Sequence, residues 1–296
     1  MATLRELKTR IGSVASSEKI TGAMKMISSA KVHKNEQALR QLLPFKNQIR
    51  SIMGHILQAG CTFTSPLIEE REHISSIALV VFGSDDGLCG AYNMNIFKSL
   101  LARINALRDE YGKDLKIEIF PVGKKIFKAV SKIAGPAIRV TVVPGVDSKM
   151  EGQTVNDFTL SLQKGFTDKE YDRVEVVYMQ FHSISRQKLT DDVLFPVSEK
   201  NLVDEADNSE SNKLYIFEPD ANRIFNEVLP MFVLSTMQEI TIENRASEQA
   251  ARVMAMQSAN DNAKKLQESL NLEYNKLRQE NITTELLDIL GGQVER

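Results

Sequence analysis

Tryptophan is absent from the 296 residues, and cysteine occurs only twice, at Cys61 and Cys89. Two thiols cannot build a disulfide framework, and the four histidines (His33, His55, His73 and His182) show no zinc-ligand spacing with them or with one another. Free thiols in a reducing compartment and no metal site are expected. Long apolar runs are also missing. The longest aliphatic and aromatic stretch is Ile77–Phe82, far short of the roughly 20 residues a membrane-spanning helix needs. The N-terminus has neither the apolar stretch of a signal peptide nor the acid-free bias of a transit peptide, so it reads as a cytoplasmic or mature start. Glycine (15) and proline (8) together make up about 8% of the chain, below the usual level of roughly 12%, which favours long helices. Charged residues at 26% and hydrophobic ones at 42% describe a soluble globular chain with room for one or two domains.

Net charge is only −2, but it is unevenly spread. The first fifty residues carry Arg5, Lys8, Arg10, Lys19, Lys25, Lys31, Lys34, Arg40, Lys46 and Arg50 against Glu6, Glu18 and Glu36. Only one aromatic residue, Phe45, stands among these cations, so nucleic acid is not the expected partner; a solvated basic face or a carboxylate-lined protein surface is.

Residues from about 3 to 57 read as one helix. Leu4, Leu7, Ile11 and Val14 recur at three- and four-residue spacing, as do Leu42, Phe45, Ile49, Ile52 and Ile56, and both sets resemble coiled-coil seams. Between them the seam slips to Ile20, Met24 and Ile27. Thr3 with Glu6 forms a capping-box pattern, and Pro44 is expected to kink the helix. From Ser75 the texture changes to strand-like runs at Ile77–Phe82, Lys116–Val122, Ile138–Val143 and Val174–Phe181. Helical stretches near 94–111, 124–134 and 154–167 separate them, the alternation of a mainly parallel α/β sheet. Further strands are expected near Val193–Val197 and Leu214–Phe217, added at an edge, with a polar loop at 204–212. Helical texture returns from Asp220 to about Ile289, broken only at Pro230 and stopped by Gly291-Gly292.

The expected organisation is therefore an N-terminal coiled-coil helix (1–58), an inserted α/β, Rossmann-like domain (75–218) and a C-terminal coiled-coil helix (220–296). At 1.5 Å per residue the two helices would span roughly 80 and 100 Å, too long to lie within the inserted domain, and should pair antiparallel with residue numbers summing to about 279. Met24 and Lys25 then lie near Met254 and Ala255. The longer helix overshoots by about 13 residues, which leaves Leu286, Leu287, Ile289 and Leu290 without a helical partner, an apolar cluster suited to another protein. Small residues on both helices allow close approach, and Gly12 and Gly22, each costing about 1 kcal/mol relative to alanine in a helix, imply tight packing or local unwinding.

The loop Gly83-Ser-Asp-Asp-Gly-Leu-Cys-Gly-Ala-Tyr-Asn93 follows the first strand, where an α/β fold places a phosphate-binding turn. It matches neither G-x-G-x-x-G nor G-x-x-x-x-G-K-[ST], and Asp85 and Asp86 would repel phosphate. Cys89 is either a thiol activated at a helix start or a small buried turn residue. A nucleotide or thiol enzyme and a generic coiled-coil scaffold are the two alternatives to the reading that follows.

Several segments resemble the gamma subunit of F-type ATP synthases: Arg5 through Val32 with Lys19-Ile-Thr-Gly-Ala-Met-Lys-Met-Ile27 at its centre, the loop Ser84–Asn93, Glu218-Pro219, and above all Ala246-Ser-Glu-Gln-Ala-Ala-Arg252, Asp261-Asn-Ala263, Arg278-Gln279 and Ile282–Asp288. The resemblance spans the whole chain. It implies a non-catalytic, cofactor-free central-stalk rotor inside a ring of three alpha and three beta subunits, its α/β foot meeting the epsilon subunit and the membrane c-ring. It would sit peripherally on the cytoplasmic face of the bacterial membrane. Met24, Lys25 and Arg252 would meet the catalytic subunits, Gln279 and Thr283 the bearing around the tip, and Gly22 with Ala255 the close-packed seam. Ser84, Asp85, Gly87 and Cys89 would mark the foot-domain loop.

Overall fold

The computed structural model describes residues 3–58, 63–198, 202 and 217–294. Cys61, the polar run 204–212 and, apart from Phe217, the expected strand at 214–217 lie outside the described residues. The elements are α1 (Leu4–Gln58), β1 (Ser76–Phe82), α2 (Tyr92–Tyr111), β2 (Lys116–Val122), α3 (Lys124–Val130), β3 (Ile138–Val140), α4 (Gln153–Thr167), β4 (Arg173–Phe181), β5 (Gln187–Phe195) and α5 (Ala221–Val294). Two compact units result: one of the residues up to Ser29 with those from Arg252 onward, the other of Ala30–Ala251.

In the larger unit the strand order is β3-β2-β1-β4-β5, parallel except for β5, which lies antiparallel on β4. Strand β1 is almost wholly apolar because both of its faces are covered, as interior parallel strands require. Ile77, Leu79 and Val81 pack with α2 and α3. Ala78, Val80 and Phe82 face a second core shared by α4, the Ile49–Ile56 end of α1 and the Phe225–Ile240 stretch of α5. The long helices are thus part of the α/β core and not merely attached to it.

Several sequence expectations need correction. Helix α5 is not broken at Pro230 or stopped at Gly291-Gly292 but runs to Val294, and α1 likewise continues through Pro44. A proline forfeits one helical hydrogen bond, but tertiary packing on both sides keeps each helix in place. Lys46, two residues beyond Pro44, pairs with Glu239 on α5, and Leu229, Phe232 and Val233 bracket Pro230 in the core. Strand β3 stops at Val140, and β5 starts at Gln187, six residues earlier than expected.

In the smaller unit α1 and α5 pair as antiparallel helices. The expected register puts Asn260 opposite position 19, and Asn260 Nδ2 donates to the Glu18 carbonyl at 2.8 Å and to Thr21 Oγ1 at 3.4 Å. Leu7, Ser28, Val253, Met256 and Leu270 are buried. The seam slip is not as expected: Ile20 and Ile27 are 59% and 57% exposed, so that stripe faces away from the pairing. The glycines, expected to mark tight packing or local unwinding, show neither. The helix is continuous, nothing lies within 4 Å of a Cβ at Gly12, and one at Gly22 would meet Asn260 Nδ2 at 3.5 Å, an ordinary contact.

Where α1 and α5 meet in the larger unit, Glu243 lies one turn beyond Glu239 on α5. Burial, then the neighbouring Glu239 charge, outweigh Lys46 and push its carboxyl up to about 8. A carboxyl raised in the folded state is protonated there while the unfolded chain has already released its proton, so stability is highest below the unfolded pKa and falls as pH rises toward 8. Thermal melts across pH 5 to 8 are expected to show this fall, and Glu243→Gln to flatten it while raising the melting temperature at pH 8. An unchanged slope in Glu243→Gln would disprove the assignment.

Candidate functional site

Two places qualify: the loop after β1 and the uncovered surface of the paired helices. In the loop, the donors nearest the strand are spent internally. Gly83 N–H reaches Val122 O at 2.9 Å, Ser84 N–H reaches Asn93 Oδ1 at 3.0 Å, and Asp85 N–H reaches Ser148 Oγ at 3.3 Å. The Asp85 carboxylate accepts from Lys124 N–H (2.9 Å), Ser148 N–H (3.2 Å) and Ser148 Oγ (2.8 Å). It thereby caps α3, whose preceding residue Gly123 has no side chain to do so, and ties three loops together. Ser84, fully buried, donates to Asp86 O and accepts from Asn93 Nδ2. Gly87 is half-buried beside Lys125.

Cys89 is buried, with Sγ 3.4 Å from Asn93 Nδ2, 3.7 Å from Ser84 Oγ and 3.9 Å from Asp86 O. Nucleophilic activation needs a base or cation beside the sulfur, and these neighbours are an amide, a hydroxyl and a carbonyl. The small-turn-residue reading therefore fits the geometry. Asp86 is exposed and pairs with Lys149 at 3.2 Å.

In a sheet of this order a nucleotide would enter the crevice beyond the carboxyl ends of β1 and β4, where the strand order reverses. Asn244 of α5 fills that place. It is 1% exposed, with Nδ2 donating to Gly83 O at 3.2 Å and Oδ1 accepting from Tyr92 OH at 2.6 Å and from Met179 N–H at 3.5 Å. The next residue, Arg245, donates from Nε to Ser148 O at 2.8 Å and from Nη1 to Glu151 at 2.9 Å, and also reaches Met150 O. Sequence reasoning missed both residues, since one amide in a long helix leaves no periodic mark. Their only sequence signal is a position immediately before the segment Ala246–Arg252.

The paired helices present the second surface. Met24 and Lys25 are half-buried, flanked by exposed Ile20, Met26 and Ile27. Gly22 and Ala255 are half-buried. Arg252, at 5% exposure, is a buried residue of the unbound chain and not a surface one. Gln279 and Thr283 are exposed one turn apart, with Thr283 Oγ1 bonded to Gln279 O. Beyond them Ile282, Leu286, Leu287 (63%), Ile289 and Leu290 are all exposed. Apolar groups so clustered and uncovered are characteristic of protein contact surfaces. Among the described residues no helix is long and apolar enough to cross a membrane.

Comparison with known proteins gives a consistent result. The family model described as ATP synthase matches residues 3–294. The chain is 37% identical to the ATP synthase gamma chain of Bacteroides thetaiotaomicron across 100% of both chains. It is 38% identical to that of Bacteroides fragilis over 99% of this chain and 100% of the other, and 34% identical to that of Stenotrophomonas maltophilia over 99% of each. Its fold resembles a chain of the Euglena gracilis mitochondrial ATP synthase OSCP/F1/c-ring structure, with a TM-score of 0.65 and 22% identity over 98% of this chain and 93% of that one. A chain of the Tetrahymena thermophila central stalk and c-ring gives 0.54 and 20% identity over 81% and 99%.

Proposed function

The chain belongs to the ATP synthase gamma-chain family, and on that premise we propose that it is the central-stalk rotor subunit, coupling rotation of a membrane c-ring to conformational change in catalytic beta subunits. The observation that carries this reading is the exposed apolar surface on the helices, Ile20, Met26 and Ile27 on the paired stretch and Ile282, Leu286, Leu287, Ile289 and Leu290 beyond it, uncovered among the described residues. The subunit performs no bond chemistry. The one loop positioned for it holds its own backbone, and Asn244 occupies the crevice beside it.

A pair of helices from one chain has no threefold axis, so three identical catalytic subunits around it each meet a different face. The shaft then biases each subunit only as far as its contact energy differs between open and closed states, and rotation permutes the biases. Met24 and Lys25 supply such contacts directly, Arg252 supports them from within the seam, and Gln279 and Thr283 lie against the bearing formed by the alpha and beta subunits. The segment 75–218 is the foot, meeting the epsilon subunit and the c-ring on the cytoplasmic face of a bacterial membrane, and 1–58 and 220–296 are the shaft helices.

The test is reconstitution. Vesicles carrying the membrane sector, alpha and beta subunits and this chain are expected to pump protons on ATP addition, and vesicles without this chain are not. ATP turnover by the isolated chain would overturn the non-catalytic reading. Gly22→Phe and Ala255→Phe are expected to weaken pumping or assembly, because a phenyl group at Gly22 must displace Asn260 and its two seam bonds. Unchanged pumping and hydrolysis in both variants would refute the packed seam.

A further inference from the structure

We propose that Asn244 is a positioning residue that fixes α5 against rotation about its own axis, so that turning force passes between the sheet and the long C-terminal helix at this point. The proposal rests on the rotor reading above. Apolar contacts along α5, such as Phe225, Leu229, Phe232 and Met237, hold the helix onto the sheet, but hydrophobic attraction is non-directional and resists sliding or twisting weakly. Hydrogen bonds are directional. Asn244 makes them to three separate elements: the carbonyl of Gly83 after β1 (3.2 Å), the hydroxyl of Tyr92 at the start of α2 (2.6 Å) and the N–H of Met179 within β4 (3.5 Å). Tyr92 OH also reaches the Asn244 backbone carbonyl at 3.1 Å, so side chain and main chain are held together.

Arg245 completes the grip. Successive residues of an α-helix point about 100° apart, so its bonds to Ser148 O (2.8 Å) and Glu151 (2.9 Å) restrain the helix from a different side. Restraints from two directions oppose rotation of either sense. The same Ser148 bonds to Asp85, which links the grip to the loop after β1. Helix α5 then continues unbroken to Val294, so a twist blocked at Asn244 is a twist delivered along the helix.

The experiment compares ATP hydrolysis with ATP-driven proton pumping in vesicles holding the whole enzyme, for wild type, Asn244→Leu and Tyr92→Phe. Leucine keeps the number and branching of asparagine's side-chain heavy atoms and removes its bonds. It is expected to leave hydrolysis within about twofold of wild type while pumping per ATP falls several-fold, and Tyr92→Phe should show the same split more mildly. A residue that merely stabilised the fold would lower both activities in proportion, so a proportional loss would overturn the proposal, as would wild-type coupling in both variants. Should Asn244→Leu fail to assemble, Tyr92→Phe, which deletes one hydroxyl, decides alone. If the wild-type chain itself neither assembles nor supports pumping, the rotor reading fails first, visibly and apart from the variants.

Discussion

Glu175→Ala is expected to cost the folded chain about 3 kcal/mol, the low end of the range for breaking a buried ion pair, and to lower its urea midpoint accordingly. Glu175 lies on β4 at 1% exposure, where water cannot solvate it. Its charge is balanced by Arg103 of α2, which donates from Nε and Nη2 at 2.7 Å each, and by Arg173 Nε at 2.6 Å. The bond to Glu175 is also the main reason the Arg103 guanidinium holds its proton more tightly than usual. Removing the carboxylate leaves two guanidinium groups close together, with the longer contact of Arg103 Nε to half-exposed Asp191, at 3.6 Å, still in place. Each is 22% exposed, so water recovers part of the loss, which is why the low end is expected. Adding Arg103→Met to Glu175→Ala should restore part of the stability, because it removes one of the two adjacent positive charges. A loss under about 1 kcal/mol, or no recovery in the double variant, would mean the triad is solvated in solution.

How far the fold could be read in advance depended on whether the signal was periodic. The runs at β1, β2 and β4 stand out because strands buried on both faces must be apolar along their whole length, and Ile77–Phe82 is. The antiparallel register came from counting helix lengths, and Asn260 bonding to Glu18 and Thr21 falls within two residues of it. Periodicity identifies a face without saying what covers it. Ile20, Met24 and Ile27 form a proper helical stripe, yet two of the three are largely exposed, and polar Asn260 with Thr21 and Gly22 lines the helix contact instead.

Proline failed as a stop signal at Pro230 because its cost of roughly 3 kcal/mol is local, whereas a helix this long is held by packing along its length. At the loop after β1, position in the fold suggested a phosphate site, and residue chemistry argued against it. The structure gives the physical reason: Asp85 is consumed as a cap, and the crevice is taken by an amide from a helix more than 150 residues away in sequence. No local pattern could encode that meeting.

The glycines of this region answer the same internal approach, and at Gly123 a positive φ and a main-chain neighbour coincide. Gly123→Ala is expected to cost about 4 kcal/mol, combining strain at a left-handed backbone with forced overpacking. Gly123 has φ +120, and a Cβ there would lie 2.9 Å from the Ser84 carbonyl oxygen, 3.0 Å from its carbon and 3.1 Å from its nitrogen. All three atoms are backbone, so no rotamer change relieves the clash. The backbone around Ser84 cannot retreat either. Lys125 N–H is bonded to Ser84 O at 2.9 Å, and Ser84 N–H is held by Asn93. Against a usual domain stability of about 5–15 kcal/mol, this single methyl group should leave a large fraction of the α/β unit unfolded at moderate urea. Gly135→Ala serves as the control, since nothing lies within 4 Å of its Cβ and it should melt as wild type does. If Gly123→Ala were as benign as Gly135→Ala, the turns after β1 and β2 would have to stand further apart than this geometry places them. Room would then open for a ligand at the loop, and the argument that the chain fills its own crevice would fail with it.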